Sequence, residues 1–137
     1  MAIIGSDGPD SLPGTEGADT VYGLGGNDTI AGLGGDDFLD LGDGADSADG
    51  GSGADLVIGV GGNDTILGGS GGDLLFGGTN LDNDNSGDDL IQGGTGDDLA
   101  LGGDANDVIF GEDGNDSLNG NTGTDLVYGG PGVDFVR

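Results

Sequence analysis

The chain has 137 residues, of which 37 are glycine, four phenylalanine and two tyrosine, so it lacks the material for a conventional layered core. Its formal net charge is −26 with one basic residue, Arg137, which argues against a nucleic-acid partner because phosphate binding needs basic side chains. The absence of Cys and His excludes disulfides, zinc sites built on thiolate or imidazole, and histidine-based catalysis.

The N-terminal residues MAIIGSDGPD contain no basic segment and no long apolar run, so we expect no cleavable signal peptide there. No stretch approaches the length of a membrane-spanning helix. A Gly-rich, acidic composition is also typical of intrinsic disorder, which is the alternative to a folded domain. The charge balance itself points to a cation as the partner.

A nine-residue phrase recurs along nearly the whole chain, and residues 59–76 contain two copies in tandem, GVGGNDTIL and GGSGGDLLF. Fourteen such units run in phase from Gly5 to Arg137, and Met1–Ile4 reads as the tail of a preceding unit. Position four of the phrase is Gly except at Ala105, position six is always Asp, and position eight is always apolar. Disordered linkers have no reason to keep such a phase, so the periodicity favours a folded repeat.

The phrase predicts an all-β fold. Its glycine density excludes helix, and its short apolar run suits a strand over positions seven to nine whose middle residue points inward. Two phrases would complete a flattened coil of eighteen residues, and stacked coils would form two parallel sheets around a thin aliphatic core. We therefore expect a single parallel β-roll, a β-solenoid, spanning residues 1–137.

One unit, at residues 77–92, is longer than the others and inserts a loop at 79–85. Together with Ser86 and Gly87, its residues Asp82 and Asp84 resemble the first half of an EF-hand loop, but Gly93 stands where the bidentate Glu is expected. The loop is either an acidic solvated loop or an auxiliary calcium loop. We expect it to bulge at one corner and to leave the phase intact.

Four phrases match the three glycines and the aspartate of a known repeat: those from Gly50, Gly68, Gly93 and Gly129 read GGSGADLVI, GGSGGDLLF, GGTGDDLAL and GGPGVDFVR. The chain thus resembles the RTX, or haemolysin-type, calcium-binding proteins, whose repeat is GGxGxDxUx with U a large aliphatic residue. The resemblance implies a parallel β-roll that holds several Ca²⁺ ions in the turns between coils. It also implies secretion from a bacterium to the extracellular space, with type I export as the candidate route.

The same resemblance implies that the position-six aspartates are the calcium ligands, with backbone carbonyls of the turns completing the shell. The resemblance also implies a C-terminal secretion signal and cap, whereas this sequence stops on a repeat at Arg137, so whether it is a fragment stays open. In the eighteen-residue coil the aspartates form two columns: Asp10, Asp28, Asp46, Asp64, Asp89, Asp107 and Asp125 in one, and Asp19, Asp37, Asp55, Asp73, Asp98, Asp116 and Asp134 in the other.

The residue types themselves suit calcium, which takes six to eight oxygen ligands from carboxylates and carbonyls. Neighbouring aspartates in a column would stand one strand spacing apart, about 4.8 Å, and repel by about 3 kcal/mol per pair at an effective dielectric constant of about 20. Six gaps per column allow about twelve ions at most. We expect an unfolded chain without calcium. The alternative is a roll that folds unaided, with Asp serving as a turn former.

Outward side chains on one sheet predict a contact surface. Six apolar residues should form adjacent pairs on three successive rungs, which is typical of a homodimer or protein partner surface, although apolar residues also simply favour strands. They are Leu56, Ile58, Leu74, Phe76, Leu99 and Leu101.

Three functional classes follow from the sequence. A calcium-binding structural module that folds on binding the ion is the leading interpretation. An ice-binding or adhesion-type β-roll is an alternative, although the outward Thr20, Thr29 and Thr65 form no ladder. An enzyme is not expected, because no carboxylate pair has a distinctive environment; the chain could still be the non-catalytic repeat segment of a secreted hydrolase or toxin.

Overall fold

The computed structural model describes residues 1–78 and 87–137, and in this part the chain is a β-solenoid of two parallel sheets without any helix. Successive strands alternate between the sheets, so each pair of strands completes one coil. The first sheet contains, in spatial order, β1 (Ala2–Ile4), β3 (Thr20–Tyr22), β5 (Phe38–Asp43), β7 (Leu56–Gly61), β9 (Leu74–Gly78), β11 (Leu99–Asp104), β13 (Ser117–Thr122) and β15 (Phe135–Val136).

The second sheet runs alongside the first and is also wholly parallel. Its strands are, in spatial order from the far end, β14 (Leu126–Tyr128), β12 (Val108–Asp113), β10 (Leu90–Thr95), β8 (Thr65–Ser70), β6 (Ser47–Ser52), β4 (Thr29–Leu33) and β2 (Ser11–Thr15). The predicted architecture, an all-β roll with eighteen residues per coil, is confirmed.

The register shows how the repeat becomes a stack. Val57 lies beside Leu39 on one side and Leu75 on the other, each eighteen residues away in sequence. Ile66 pairs with Ile91, which is 25 residues away, because the longer unit intervenes. The insertion therefore leaves the phase intact, as predicted. The loop at 79–85 itself, with the calcium-loop interpretation of Asp82 and Asp84, lies outside the described residues.

The strands are longer than predicted. We expected positions seven to nine only, yet strands such as Leu56–Gly61 continue through the first three positions of the next phrase. In several strands the residue at position two adopts a left-handed conformation. Val60, for example, has φ 82° and still pairs with Gly42 on one side and with Gly78 on the other. Cross-coil pairing continues past this residue, so the chain turns the corner without losing its ladder. Five non-glycine residues share this conformation at position two: Leu24, Leu33, Val60, Glu112 and Asn121.

The core is a double row of aliphatic side chains between the sheets. Position eight supplies it, and Val57, Ile66 and Leu75 are completely buried. Val136, in the last coil, is 45% exposed because no rung covers it. Leu41 is an unpredicted member of the core: it stands at position one, where other units have Gly, and it is fully buried in the phrase whose position eight is only Ala48.

No helix long and apolar enough to cross a membrane occurs in residues 1–78 or 87–137.

Candidate metal centre

The position-six aspartates stack in two columns, as the eighteen-residue coil requires. Eleven of them are buried, and the three that stand near the ends of the roll, Asp10, Asp125 and Asp134, are half-buried. Each column lies where the glycine turn enters the following strand. The predicted placement of all fourteen residues in these columns is therefore seen in the structure, whereas their role as ligands stays a prediction.

One carboxylate oxygen of each aspartate joins neighbouring coils. The backbone N–H of Asp46 donates to Oδ1 of Asp64 at 2.9 Å, and the N–H of Asp64 donates to Oδ1 of Asp89 at 2.8 Å. The same bond recurs at all twelve steps of the two columns, with N···O distances of 2.7 to 3.1 Å. Asp is thus a structural residue of the turn as well as a charged one.

In ten of the fourteen aspartates the other carboxylate oxygen, Oδ2, has no partner among the described residues. Oδ2 is buried and makes no hydrogen bond in ten of the aspartates: Asp28, Asp37, Asp46, Asp55, Asp64, Asp73, Asp89, Asp98, Asp107 and Asp116. A buried charged oxygen without a partner costs several kcal/mol, because it loses water and gains nothing in return. Ten repetitions of this feature require a cationic or proton-donating partner.

Nine of these ten Oδ2 atoms face a backbone carbonyl across a glycine at position one, and the tenth, that of Asp46, belongs to the unit that begins with Leu41. A methyl group on Gly50 would lie 2.5 Å from Oδ2 of Asp55 and 2.6 Å from the carbonyl oxygen of Gly68, in the next coil. At Gly68 the corresponding distances are 2.5 Å to Oδ2 of Asp73 and 2.5 Å to the carbonyl oxygen of Gly93. Where position one is glycine, two oxygens occupy the space that a side chain would fill; Leu41 is the exception.

The first aspartates of the columns have other partners. The α-amino group of Met1, which stands at position six of the N-terminal partial unit, lies 2.6 Å from Oδ1 of Asp19. It takes the place of the backbone N–H that the column uses elsewhere, and its charge and hydrogen bond lower the pKa of Asp19. Oδ2 of Asp10 accepts hydrogen bonds from the backbone N–H and the hydroxyl of Ser6.

Burial raises the pKa of the central aspartates. It raises the pKa of Asp64 to about 7 and that of Asp89 to about 8, in each case against a backbone hydrogen bond to the carboxylate that lowers it. The pKa of Asp55, Asp98 and Asp107 rises to about 6 for the same reason. Without a cation, the interior of the roll therefore disfavours the ionised carboxylates most strongly in its middle coils.

The donor set fits calcium. Each gap between coils offers carboxylate and carbonyl oxygens, with no nitrogen or sulfur ligand, and Ca²⁺ takes six to eight oxygens in flexible geometry. In the described residues no group of three or more His, Cys, Asp or Glu side chains comes together as a metal site. Backbone carbonyls would therefore supply most of the ligands, and one carboxylate from each coil would supply the charge.

Position five carries a second ladder that the sequence analysis missed. Oδ1 of Asn27 accepts the N–H of Ala45 at 3.1 Å, and Oδ1 of Asp36 accepts the N–H of Ala54 at 3.0 Å, both from the next coil. Four similar bonds are accepted by Asp88, Asp97, Asn106 and Asn115. The signal was present in the sequence, since Asn or Asp directly precedes the invariant Asp in many phrases.

The outward apolar residues form the predicted ladder. Leu56, Leu74 and Leu99 are neighbours in register, as are Ile58, Phe76 and Leu101. Leu74 is 42% exposed and the other five are half-buried. The arrangement is confirmed, and its use as a contact surface stays a prediction.

Comparison with known proteins agrees with this geometry. No curated protein matches the chain at a significant level. The family model described as "RTX calcium-binding nonapeptide repeat (4 copies)" matches residues 3–30, 13–48, 49–82, 83–118 and 101–136, and so covers nearly the whole chain. On these grounds the chain belongs to the family of RTX calcium-binding nonapeptide-repeat proteins and is a calcium-binding repeat module.

Proposed function

We propose that this protein is a structural module that is largely unfolded without calcium and folds into the roll when it binds about twelve Ca²⁺ ions. The observation that carries the proposal is the set of ten buried Oδ2 atoms without a partner. They are the groups that make the calcium-free roll unstable and the groups that would hold the ion. Binding and folding would therefore be one event.

Electrostatic repulsion supports this coupling. Neighbouring carboxylates in a column repel by about 3 kcal/mol per pair at an effective dielectric constant of about 20. Repeated over the steps of both columns, this repulsion exceeds the 5 to 15 kcal/mol by which a typical domain is stable. A cation in each gap would replace the repulsion between two carboxylates by attraction to both.

The ligands that we propose are the fourteen position-six aspartates with the carbonyls of the glycine turns. An ion between Asp55 and Asp73 would have Oδ2 of Asp55 and the carbonyl oxygen of Gly68, which face each other across Gly50, within reach. Magnesium would be a poorer partner, because it demands a strict octahedral shell and gives up its water reluctantly.

We infer that the module works outside the cell. RTX repeats are typical of secreted bacterial proteins, and extracellular calcium modules commonly bind the ion at about 10⁻⁴ to 10⁻³ M. A chain that stays unfolded at low calcium would remain suitable for export and would fold on arrival. The role is structural: the β-roll is a repeat scaffold, and the activity of any larger protein that contains it would belong to other segments.

The direct test is far-UV circular dichroism during titration with Ca²⁺, with Mg²⁺ in parallel. We expect a cooperative gain of β signal with calcium and little change with magnesium. Isothermal titration calorimetry should count fewer ions for Asp64→Asn, which alters a buried position-six carboxylate, than for Asp49→Asn, which alters an exposed carboxylate on β6. Full β structure in the presence of a chelator would refute the proposal.

The apolar ladder on the first sheet gives a second, independent expectation, association through that face. The variant with Leu74 and Phe76 changed to Ser should be less associated than the wild type in sedimentation velocity at saturating calcium. The core residues behind these positions are unchanged, so the circular dichroism signal should stay the same. Equal sedimentation of the two proteins would show that the face binds no second copy.

A further inference from the structure

The position-five and position-six ladders act on the same gap between coils but in opposite directions. Between the third and fifth units, the N–H of Asp28 donates to Oδ1 of Asp46, while the N–H of Ala45 donates to Oδ1 of Asn27. The two bonds thus join adjacent residues, 27–28 in one coil and 45–46 in the next, with one donor in each coil. We call this reciprocal pair of bonds a clasp.

Among the described residues, half of the twelve gaps have a clasp. Six gaps carry both bonds, and the aspartates on their far side are Asp46, Asp55, Asp107, Asp116, Asp125 and Asp134. The other six gaps carry the position-six bond alone. Pro, Ala or Gly stands at position five before five of these gaps, and Asn63 stands before the sixth without making the bond.

The extra bond holds the peptide group that enters the ion-binding turn. In the trans peptide between Gly44 and Ala45, the N–H and the carbonyl point in opposite directions. The N–H points back to Asn27, so the carbonyl of Gly44 points forward, where it faces Gly62 of the next coil. Fixing this one peptide therefore fixes a turn carbonyl and also the backbone from which the side chain of Asp46 extends.

The geometry points to the position-five Asn and Asp residues as positioning residues that divide the calcium sites into two classes, tighter where a clasp holds the turn whose carbonyl and aspartate face the site, and weaker where that turn has no clasp. This inference rests on the proposed function. The position-six bonds have similar lengths in both kinds of gap, 2.7 Å at Asp46 and 2.9 Å at Asp64, so the clasp does not change the average geometry. It restricts motion, and a restrained site loses less freedom when it binds its ion.

Charge alone does not explain the pattern. Asp36, Asp88 and Asp97 accept the position-five bond with a carboxylate, whereas Asn27, Asn106 and Asn115 accept it with a neutral amide oxygen. All six are exposed, so each bond competes with water and contributes modestly. The common feature is an oxygen two bonds beyond the Cβ that reaches the N–H of the next coil.

The test uses Asn27→Ala, which removes the acceptor without changing the charge. Two site-resolved NMR measurements on the whole chain report the outcome: hydrogen exchange of the Ala45 amide at saturating calcium, and loss of the calcium-bound carboxyl-carbon resonance of Asp46 as calcium is lowered within the range in which circular dichroism shows the roll to be folded. We expect faster exchange and a local calcium midpoint at Asp46 that rises about two- to tenfold, the effect of one net hydrogen bond on one site. The midpoint of Asp73, in the other column, should move only with the folding transition of the whole roll, which one hydrogen bond shifts by no more than about 1.3-fold.

Two further variants separate positioning from general stability. Asn27→Asp keeps the acceptor oxygen and should restore both the protection of the Ala45 amide and the midpoint of Asp46. Asn63→Ala changes the same residue type at the same exposed position, but no cross-coil bond is lost, so the midpoint of the following aspartate, Asp89, should not move.

Three results would overturn the inference: an unchanged midpoint of Asp46 in Asn27→Ala, an equal shift in Asn63→Ala, or a uniform shift of all the carboxyl resonances. Failure of the proposed function is a different result. In that case the carboxyl resonances of the wild type would not respond to calcium at all, and the inference of two classes of calcium site would be refuted together with the proposed function.

Discussion

Shortening one core side chain should raise the calcium concentration needed for folding by only a small factor. Ile66 is fully buried and lies in register between Ala48 and Ile91, so Ile66→Ala should cost about 2 to 5 kcal/mol. If folding is linked to about twelve ions, a tenfold rise in calcium stabilises the roll by about 16 kcal/mol, since each ion contributes about 1.4. The midpoint should therefore rise about 1.3- to 2-fold.

Circular dichroism at a series of calcium concentrations measures this shift, with Ile66→Val as the matched control. Removing one methyl group from Ile66 costs about 0.5 to 1.5 kcal/mol, so the midpoint of the control should move by no more than about 1.3-fold. A tenfold or larger shift for Ile66→Ala would limit the number of linked ions to about four and refute the reasoning from twelve gaps.

Three other predictions concern the turns. Gly50→Ala places a methyl group 2.5 Å from Oδ2 of Asp55, a proposed ligand, and should remove one ion in calorimetry, whereas Gly17→Ala, with nothing within 4 Å, should bind the full number. The pKa of Asp89, raised to about 8 from an ordinary value of 3.8, means that the calcium-free roll binds more protons than the unfolded chain between these values. Its stability is therefore lost as pH rises through about 8, and circular dichroism in a chelator should show more β structure at pH 4 than at pH 8. Val60→Gly relieves a β-branched residue at φ 82° and should raise the free energy of unfolding by up to about 1 kcal/mol in urea titrations, and Asn121→Gly by less, because Asn tolerates this conformation.

The sequence was sufficient for the fold because its period is strict. Because the phrases keep phase, an inward orientation of Val57 implies the same orientation for position eight of every other phrase. A coil of two phrases then places Asp46 above Asp28. The turn length, the two columns and the intact phase after the insertion all follow from counting. The outward ladder of Leu56, Leu74 and Leu99 follows from the same count.

The sequence was not sufficient to predict that the two oxygens of each carboxylate have different environments. Which oxygen of Asp64 accepts a backbone N–H and which stays unpaired depends on the side-chain torsion and on the position of the neighbouring coil. The left-handed conformation of Val60 could not be predicted from its residue type either, because a β-branched residue rarely adopts it. Other units have a left-handed glycine at the same position, such as Gly51 and Gly69. Leu41 lies in the core because position one also faces inward. The other units have glycine at this position, so the sequence pattern did not reveal its orientation.

The unpaired oxygen also explains why position six is Asp and never Asn. Oδ2 of Asp64 and the carbonyl oxygen of Gly77 face the same space beside Gly59, and both are acceptors, so only a cation or a proton can join them. An amide group at residue 64 would donate to that carbonyl, while its oxygen would still accept the N–H of Asp46. We therefore expect a chain with Asn at residues 46, 64 and 89 to retain more β structure in a chelator than the wild type.

A control with Ala at the same three residues removes the charges but also the Oδ1 acceptors of the cross-coil bonds, so circular dichroism in a chelator should rank the Asn variant above both the Ala variant and the wild type. Hydrogen exchange of the side-chain amide at residue 64 then tests the new donor itself, and we expect it to be protected in the calcium-free Asn variant. An unprotected amide would mean that loss of carboxylate repulsion alone accounts for the gain in β structure. A protected amide would mean that the hydrogen bond performs at each gap the joining role that calcium would have, so that calcium dependence is a consequence of one missing donor repeated along two columns.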